Sequence, residues 1–295
     1  MKKRDDDAYA DGVDRAFATL QDLLPKHALS KLMHRLARST NPLVRKAIIG
    51  TILRAYPTID MREAEQPDPY AYASFNAFFA RALRAGVRPI AGGAGTLVSP
   101  VDGTVSQLGG VSGGQIYQAK GTYYTATALL ADAAAEAKYG GGAFACLYLA
   151  PHNYHRIHMP VAGRLTATRY VPGEFFSVNP ATVRAVPGLF ARNERVVCEF
   201  DTALGPMAMV LVGALFVGSI ETVYSGEVNP PASRGGRVTN LPDGIGSEFA
   251  QGAEIGRFNM GSTVILLIGN GSVRFADRLG AGATVRMGQS LTRAP

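Results

Sequence analysis

An α+β fold, a mainly antiparallel β body with a helical N-terminal region, follows from three features of the 295-residue sequence. Its 34 glycines punctuate many short Val/Ile/Leu-rich runs, the pattern of strands joined by tight turns. Helical apolar spacing is concentrated near the N-terminus and in two short interior stretches. Hydrophobic residues at 47% and charged residues at 18% fit a folded globular chain rather than a disordered one.

The opening twelve residues, MKKRDDDAYADG, carry cations with no apolar run behind them, so no export signal is expected. Leu29, Leu32, Met33 and Leu36 then follow i, i+3, i+4, i+7, with Lys31, Arg35 and Arg38 on another face. Asn41-Pro42 is a helix-start signal, and Leu43, Val44, Ala47, Ile48 and Ile52 form a second stripe. Ser74 caps a short helix over FNAFFARAL. From Leu97 onward strands are expected in TLVSPVDGTVSQL, AFACLYLA, GRLTATRYV, ERVVCEF, MAMVLVGALFV, TVILLI and ATVRMGQSL, interrupted by a helix in YTATALLADAAAEAKY. These readings divide the chain into an N-terminal amphipathic region, residues 1–65, and a β-rich body, residues 66–295.

The net charge of +7 is concentrated in one place. Between Leu23 and Ile59 stand seven basic residues and no acidic one, leaving 23 basic against 23 acidic elsewhere. A basic amphipathic pair of this kind suits an anionic membrane interface. It equally suits an ordinary packed pair with its cations in water. No nucleic-acid-binding fold or aromatic platform accompanies the charge. The uncharged stretch from Thr202 to Ile220 is broken by Pro206 and three glycines, so two strands meeting at Gly213 are expected rather than a membrane span. Cys146 and Cys198, both in apolar strand contexts, read as buried free thiols of a reducing compartment. A cytoplasmic, peripheral protein is the consistent expectation.

Three of the five histidines, His152, His155 and His158, fall within seven residues between Pro151 and Pro160. Histidine suits proton transfer near neutral pH. A zinc site lacks a nearby Cys or carboxylate to complete its ligands, so no metal is expected. Asp102 precedes Gly103 in a hairpin-like context, and Ser262 follows Gly261 at the mouth of an apolar strand. Each reads as a turn when taken alone. An Asp, a His and a Ser at three strand ends can also converge as a proton-relay triad.

Taken together, SPVDGTVSQLG, YLAPHNYHRIHMPVAG, YVPGEFFSVNP, LFARNERV, VGSIETV and EIGRFNMGSTVILL resemble the phosphatidylserine decarboxylase family, in its long bacterial form. The resemblance runs from FNAFFARALR to RMGQSL and includes the N-terminal helices. It implies a proenzyme that cuts itself between Gly261 and Ser262 into chains 1–261 and 262–295, Ser262 becoming a pyruvoyl group. It further implies Asp102 and His158 as the triad partners of Ser262 and His155 as the histidine of the decarboxylation step. Phe175, Phe176 and Ser177 are implied near the substrate, with core packing an equally open reading of the two rings. Phosphatidylserine would be converted to phosphatidylethanolamine through a Schiff base, at the cytoplasmic face of the cell membrane. The two chains would stay together, in a homodimer. Met260 stands where leucine is usual and Val101 where alanine is common, while His152 has no implied role.

Chemistry gives independent reasons for these residue types. Glycine at 261 hinders attack by Ser262 Oγ least and tolerates strained dihedrals. His158, oriented by Asp102, would take the hydroxyl proton. β-Elimination of the resulting ester leaves dehydroalanine, which water converts to pyruvoyl and ammonia. The chain also admits a membrane-associated serine hydrolase that uses Asp102, His158 and Ser262 without self-cleavage, though no Gly-x-Ser-x-Gly elbow surrounds Ser262. A non-catalytic lipid-binding protein is the other alternative.

Overall fold

In this computed structural model two antiparallel sheets pack face to face. It describes residues 12, 14, 19, 21, 26–93, 95–119, 121–215, 219–228, 236–259, 262–269, 271 and 273–293. In chain order the first eight strands are β1 (Gly103–Gly110), β2 (Gln115–Ala119), β3 (Thr122–Thr125), β4 (Ala143–Leu149), β5 (Arg156–His158), β6 (Gly163–Val171), β7 (Arg195–Thr202) and β8 (Gly205–Val212). They are followed by β9 (Ile220–Thr222), β10 (Gly226–Glu227), β11 (Thr239–Asn240), β12 (Glu248–Phe249), β13 (Glu254–Phe258), β14 (Ser262–Ile268) and β15 (Thr284–Val285). The larger sheet runs β11-β6-β7-β8-β14-β4-β1-β15 with β12 also on β6, the smaller β10-β9-β13-β5, and β2 with β3 forms a separate hairpin.

The sequence STVILLI explains its own position. A strand without polar alternation must be covered on both faces, and β14 is buried along its whole length between β4 and β8. Val264, Leu266 and Ile268 join the core between the sheets, with Ile157, Ile220, Ile255 and Phe258 of the smaller sheet. Ile265 and Leu267 join a second core on the opposite face. That second core also holds Leu129 of the helix Ala126–Leu130, Tyr139 of the helix Ala135–Tyr139, Val183 of the helix Pro180–Ala185 and Phe190 of the helix Leu189–Arg192. The interior helix expected over YTATALLADAAAEAKY is therefore two helices. Ala131 turns left-handed at φ 50° and the Asp132 carboxylate caps Ala134 N, restarting the chain in a new direction.

Both expected N-terminal caps are in place. Asn41 Oδ1 accepts from Leu43 N at the start of one helix (Pro42–Ala55), and Ser74 Oγ from Ala77 N at the start of another (Phe75–Phe79). The helix Lys26–Ala37 precedes them. Its charges are not all turned to solvent. Arg38, just past its end, and His34 bond Glu227, and Lys26 lies 3.6 Å from the centre of the Phe176 ring. The outward side instead carries Leu32, 53% exposed, with Leu36, Lys31 and Arg35, and the next helix adds Leu43, 82% exposed, beside Lys46. Strand β8 ends at Val212 just before Gly213, but Gly213, Ala214 and Leu215 form no strand and β9 begins only at Ile220, so the two strands do not meet at Gly213 as expected; both cysteines are free and buried. Most of residues 1–25, with Met260 and Gly261, lies outside the described residues.

Candidate active site

One row of paired residues crosses the larger sheet: Thr104, Tyr148, Thr263, Val212, Arg195 and Val171. The segments that carry the singled-out residues leave the sheet along this rim. Asp102 lies two residues before Thr104, and Ser262 pairs with Leu149. His152, His155 and His158 follow β4, while Phe175, Phe176 and Ser177 follow β6. Gly103 allows the close approach this requires, since a Cβ there would stand 2.5 Å from the Tyr148 carbonyl oxygen. Asp102 is thus fixed ahead of a strand rather than at a hairpin turn.

Ser262 is wholly buried, and its Oγ has no hydrogen-bond partner among the described residues. By the two-residue period of β14 it faces the smaller sheet, which contains His158. Unpartnered buried hydroxyls are uncommon because losing water without a replacement bond costs about 1–3 kcal/mol. Thr263, on the opposite face, is unpartnered too.

His155 is equally enclosed. Its Nδ1 lies 2.9 Å from the Asn153 carbonyl, which only accepts, so Nδ1 carries the proton and Nε2 presents a lone pair. That Nε2 is buried with no hydrogen-bond partner among the described residues. Phe79 covers the ring at a centroid distance of 4.0 Å. Burial first, and then the nearby Arg81 charge, push its pKa from 6.5 down to about 3. The imidazole is neutral at physiological pH.

The side chains of Asp102 and His158 are each bonded to other partners. His158 donates from Nδ1 to the Gly252 carbonyl at 2.8 Å, and its Nε2 accepts the Tyr154 hydroxyl at 2.9 Å. Asp102 meets Arg88 through both oxygens, at 2.7–3.1 Å, and accepts from Met287 N at 2.8 Å. The structure therefore brings Asp102 and His158 to neighbouring segments, His158 N bonding the Pro100 carbonyl, without a hydrogen bond between their side chains. Burial is the main cause that lowers the His158 pKa, while Asp102 raises it slightly through space.

Phe175 and Phe176 are fully buried, with Phe176 between the Lys26 and Arg192 cations. Asn193 braces the Phe176 backbone through both its N–H and carbonyl, and Ser177 N donates to Gln21. His152 packs on Tyr56 at 5.9 Å. Two cavities open at the rim. One of about 320 Å³ is lined by Asp102, Arg88, His152 and Tyr154, and one of about 810 Å³ by Asn76, Tyr72, Arg156 and Asn259. Arg81 lines both. Among the described residues no cluster of His, Cys, Asp or Glu is arranged for a metal ion. Sequence reasoning passed over Tyr154, Arg88 and Arg81. Tyr154 lay inside the histidine motif, whereas the arginines gave no local signal.

Sequence comparison identifies the family. The family model described as Phosphatidylserine decarboxylase matches residues 75–293, and a second, described as PSD, matches residues 16–57. A protein of Shewanella baltica named phosphatidylserine decarboxylase proenzyme is 51% identical over 94% of this chain and 96% of its own length. A protein of the same name from Methylococcus capsulatus is 49% identical with the same coverage. The chain belongs to the phosphatidylserine decarboxylase family.

Proposed function

We propose that this chain is a self-processing decarboxylase that converts phosphatidylserine to phosphatidylethanolamine at a membrane surface. The observation that carries the reading is Ser262: a buried, unpartnered hydroxyl at the first position of a central strand, in a family whose relatives are named proenzymes. Its Oγ attacks the carbonyl carbon of residue 261, turning the peptide bond into an ester and leading to chains 1–261 and 262–295. His158 Nε2 takes the hydroxyl proton once it releases the Tyr154 hydroxyl. Asp102, held by Arg88, completes the charge balance beside it.

The residues present fit a pyruvoyl group at position 262. The site there is enclosed, and two polar atoms, Ser262 Oγ and His155 Nε2, have no hydrogen-bond partner among the described residues. When formed, that group supplies the electron sink for loss of the substrate carboxylate. His155 does the proton work: its free Nε2 takes a proton from the substrate ammonium and returns it to the carbon that loses carbon dioxide. Phe175, Phe176 and Ser177 are assigned to the substrate on the family resemblance alone, Phe176 packing in the core on the other face of the sheet.

Residues 1–65 serve as the membrane-associating region and residues 66–295 as the catalytic body. Among the described residues no helix is long and apolar enough to span a bilayer. The exposed Leu32, Leu36 and Leu43, interleaved with Lys31, Arg35 and Lys46, suit an anionic interface at the cytoplasmic face instead. A homodimer belongs to the same reading, on the family resemblance alone.

Intact mass after a denaturing gel tests the proposal. Two chains are expected, the smaller with a blocked N-terminus. Ser262→Ala leaves one uncut, inactive chain, and His155→Ala is cut but decarboxylates phosphatidylserine at least about a hundredfold more slowly. A single intact chain in active protein refutes the reading.

A further inference from the structure

Four arginines line the larger cavity, and three have carboxylates. Arg38 bonds Glu227, Arg156 bonds Glu254, and Arg257 pairs with Glu254 and Glu221. The fourth, Arg81, is only 5% exposed, yet its Nε has no hydrogen-bond partner and no carboxylate stands within ion-pair distance among the described residues. The acids near it, Asp102 and Glu63, are both taken by Arg88. Its one described contact is with the Phe78 ring, 5.6 Å from the guanidinium carbon. A charge held out of water without a counter-charge is destabilising, so a site that keeps one is built for an anion that arrives from outside.

We propose that Arg81 is the receptor for the phosphodiester of the lipid substrate. This rests on the decarboxylase reading above. The same cavity is lined by Arg38, just after the first basic helix, by Arg81, and by Asn259, three residues before Ser262. A lipid lying with its chains at the helices and its amine at residue 262 therefore carries its phosphate past Arg81. The planar guanidinium matches two oxygens of such a group. The other anion of the substrate, the carboxylate, is the poorer fit. An arginine clamped on it would stabilise the group that must leave as neutral carbon dioxide, and so would slow the reaction. The phosphodiester keeps its charge from substrate to product.

The test uses the processed enzyme in mixed micelles. Arg81→Gln should be cut like the parent on a denaturing gel. Its KM for phosphatidylserine should rise roughly 30-fold or more while kcat changes only a few-fold. Inhibition by a dialkyl phosphate, a phosphodiester lipid without serine, should weaken in parallel, and Arg81→Lys should fall between. An unchanged KM, or a fall confined to kcat with inhibition intact, overturns the assignment. If Arg81→Gln remains uncut, the parent decides. Competition by dialkyl phosphate but not by neutral diacylglycerol supports the site, and absence of competition sinks it. Equal inhibition by inorganic phosphate points to a free-phosphate site and overturns the lipid assignment. A parent that is cut but does not decarboxylate phosphatidylserine defeats the decarboxylase reading alone. Dialkyl phosphate binding by calorimetry, parent against Arg81→Lys, then still decides Arg81.

Discussion

His155 links stability and chemistry through one buried nitrogen. Unfolded, its imidazole binds a proton below about pH 6.5; folded, only below about 3, because burial excludes the charged form. The unfolded chain thus holds more protons across that window, and stability falls as pH drops from 6.5 towards 3. One such proton is worth about 1.4 kcal/mol per pH unit, and above 6.5 this group adds no pH dependence. Urea unfolding between pH 7 and 4.5, in the uncut Ser262→Ala chain, should lose stability faster than the same chain carrying His155→Leu. Matching slopes would mean that His155 is protonated as easily in the folded protein as outside it. Asp102, His155, His158 and Ser262 were singled out through the family resemblance, since each taken alone reads as a turn or a structural residue. Their partners were not. That Asp102 would meet Arg88, and His158 the Tyr154 hydroxyl, depends on how separate segments cross.

Among the elements, legibility followed length. GRLTATRYV coincides with the nine-residue strand β6, and the two caps at Asn41 and Ser74 fall where their side chains dictate. The smaller sheet escaped notice because its strands span only two to five residues, too short for a period to register. The N-terminal helices were read correctly as elements, but their spacing left open which side would meet the body. The structure turns His34 and Arg38 inward and leaves Leu32 and Leu43 in water. Since these leucines are already exposed, replacing both by serine should leave the soluble fold intact. Burying a leucine side chain in an apolar phase is worth about 1.5–3 kcal/mol. Leu32→Ser with Leu43→Ser should therefore weaken binding to phosphatidylglycerol-containing vesicles by roughly tenfold or more in a flotation assay. The cations add about 1 kcal/mol each near an anionic surface, so binding should also fall as salt is raised. Unaltered flotation of the double variant would place the membrane contact elsewhere.

At the scale of the whole molecule, cleavage before Ser262 would cut the chain at the edge of its most buried strand. Everything that holds β14 in place is non-covalent: a seven-residue ladder to β4, a six-residue ladder to β8, and aliphatic side chains in both cores. Val264, Ile265, Leu266, Leu267 and Ile268 are each 0% exposed. At about 1.5–3 kcal/mol apiece, their burial alone is of order 10 kcal/mol, enough to offset the loss of one peptide link. Downstream, β15 and Leu291 tie the same segment to β1 and Leu97 across the sheet. The short chain is therefore expected to co-elute with the long one in gel filtration without denaturant. Under urea the two should separate only as the β-sheet circular dichroism is lost, in a single transition. Because the strand is central, its departure would leave β4 and β8 with unpaired edges and open both cores at once. A short chain that dissociates while the sheet signal persists would show that β14 contributes far less to the core than its burial requires.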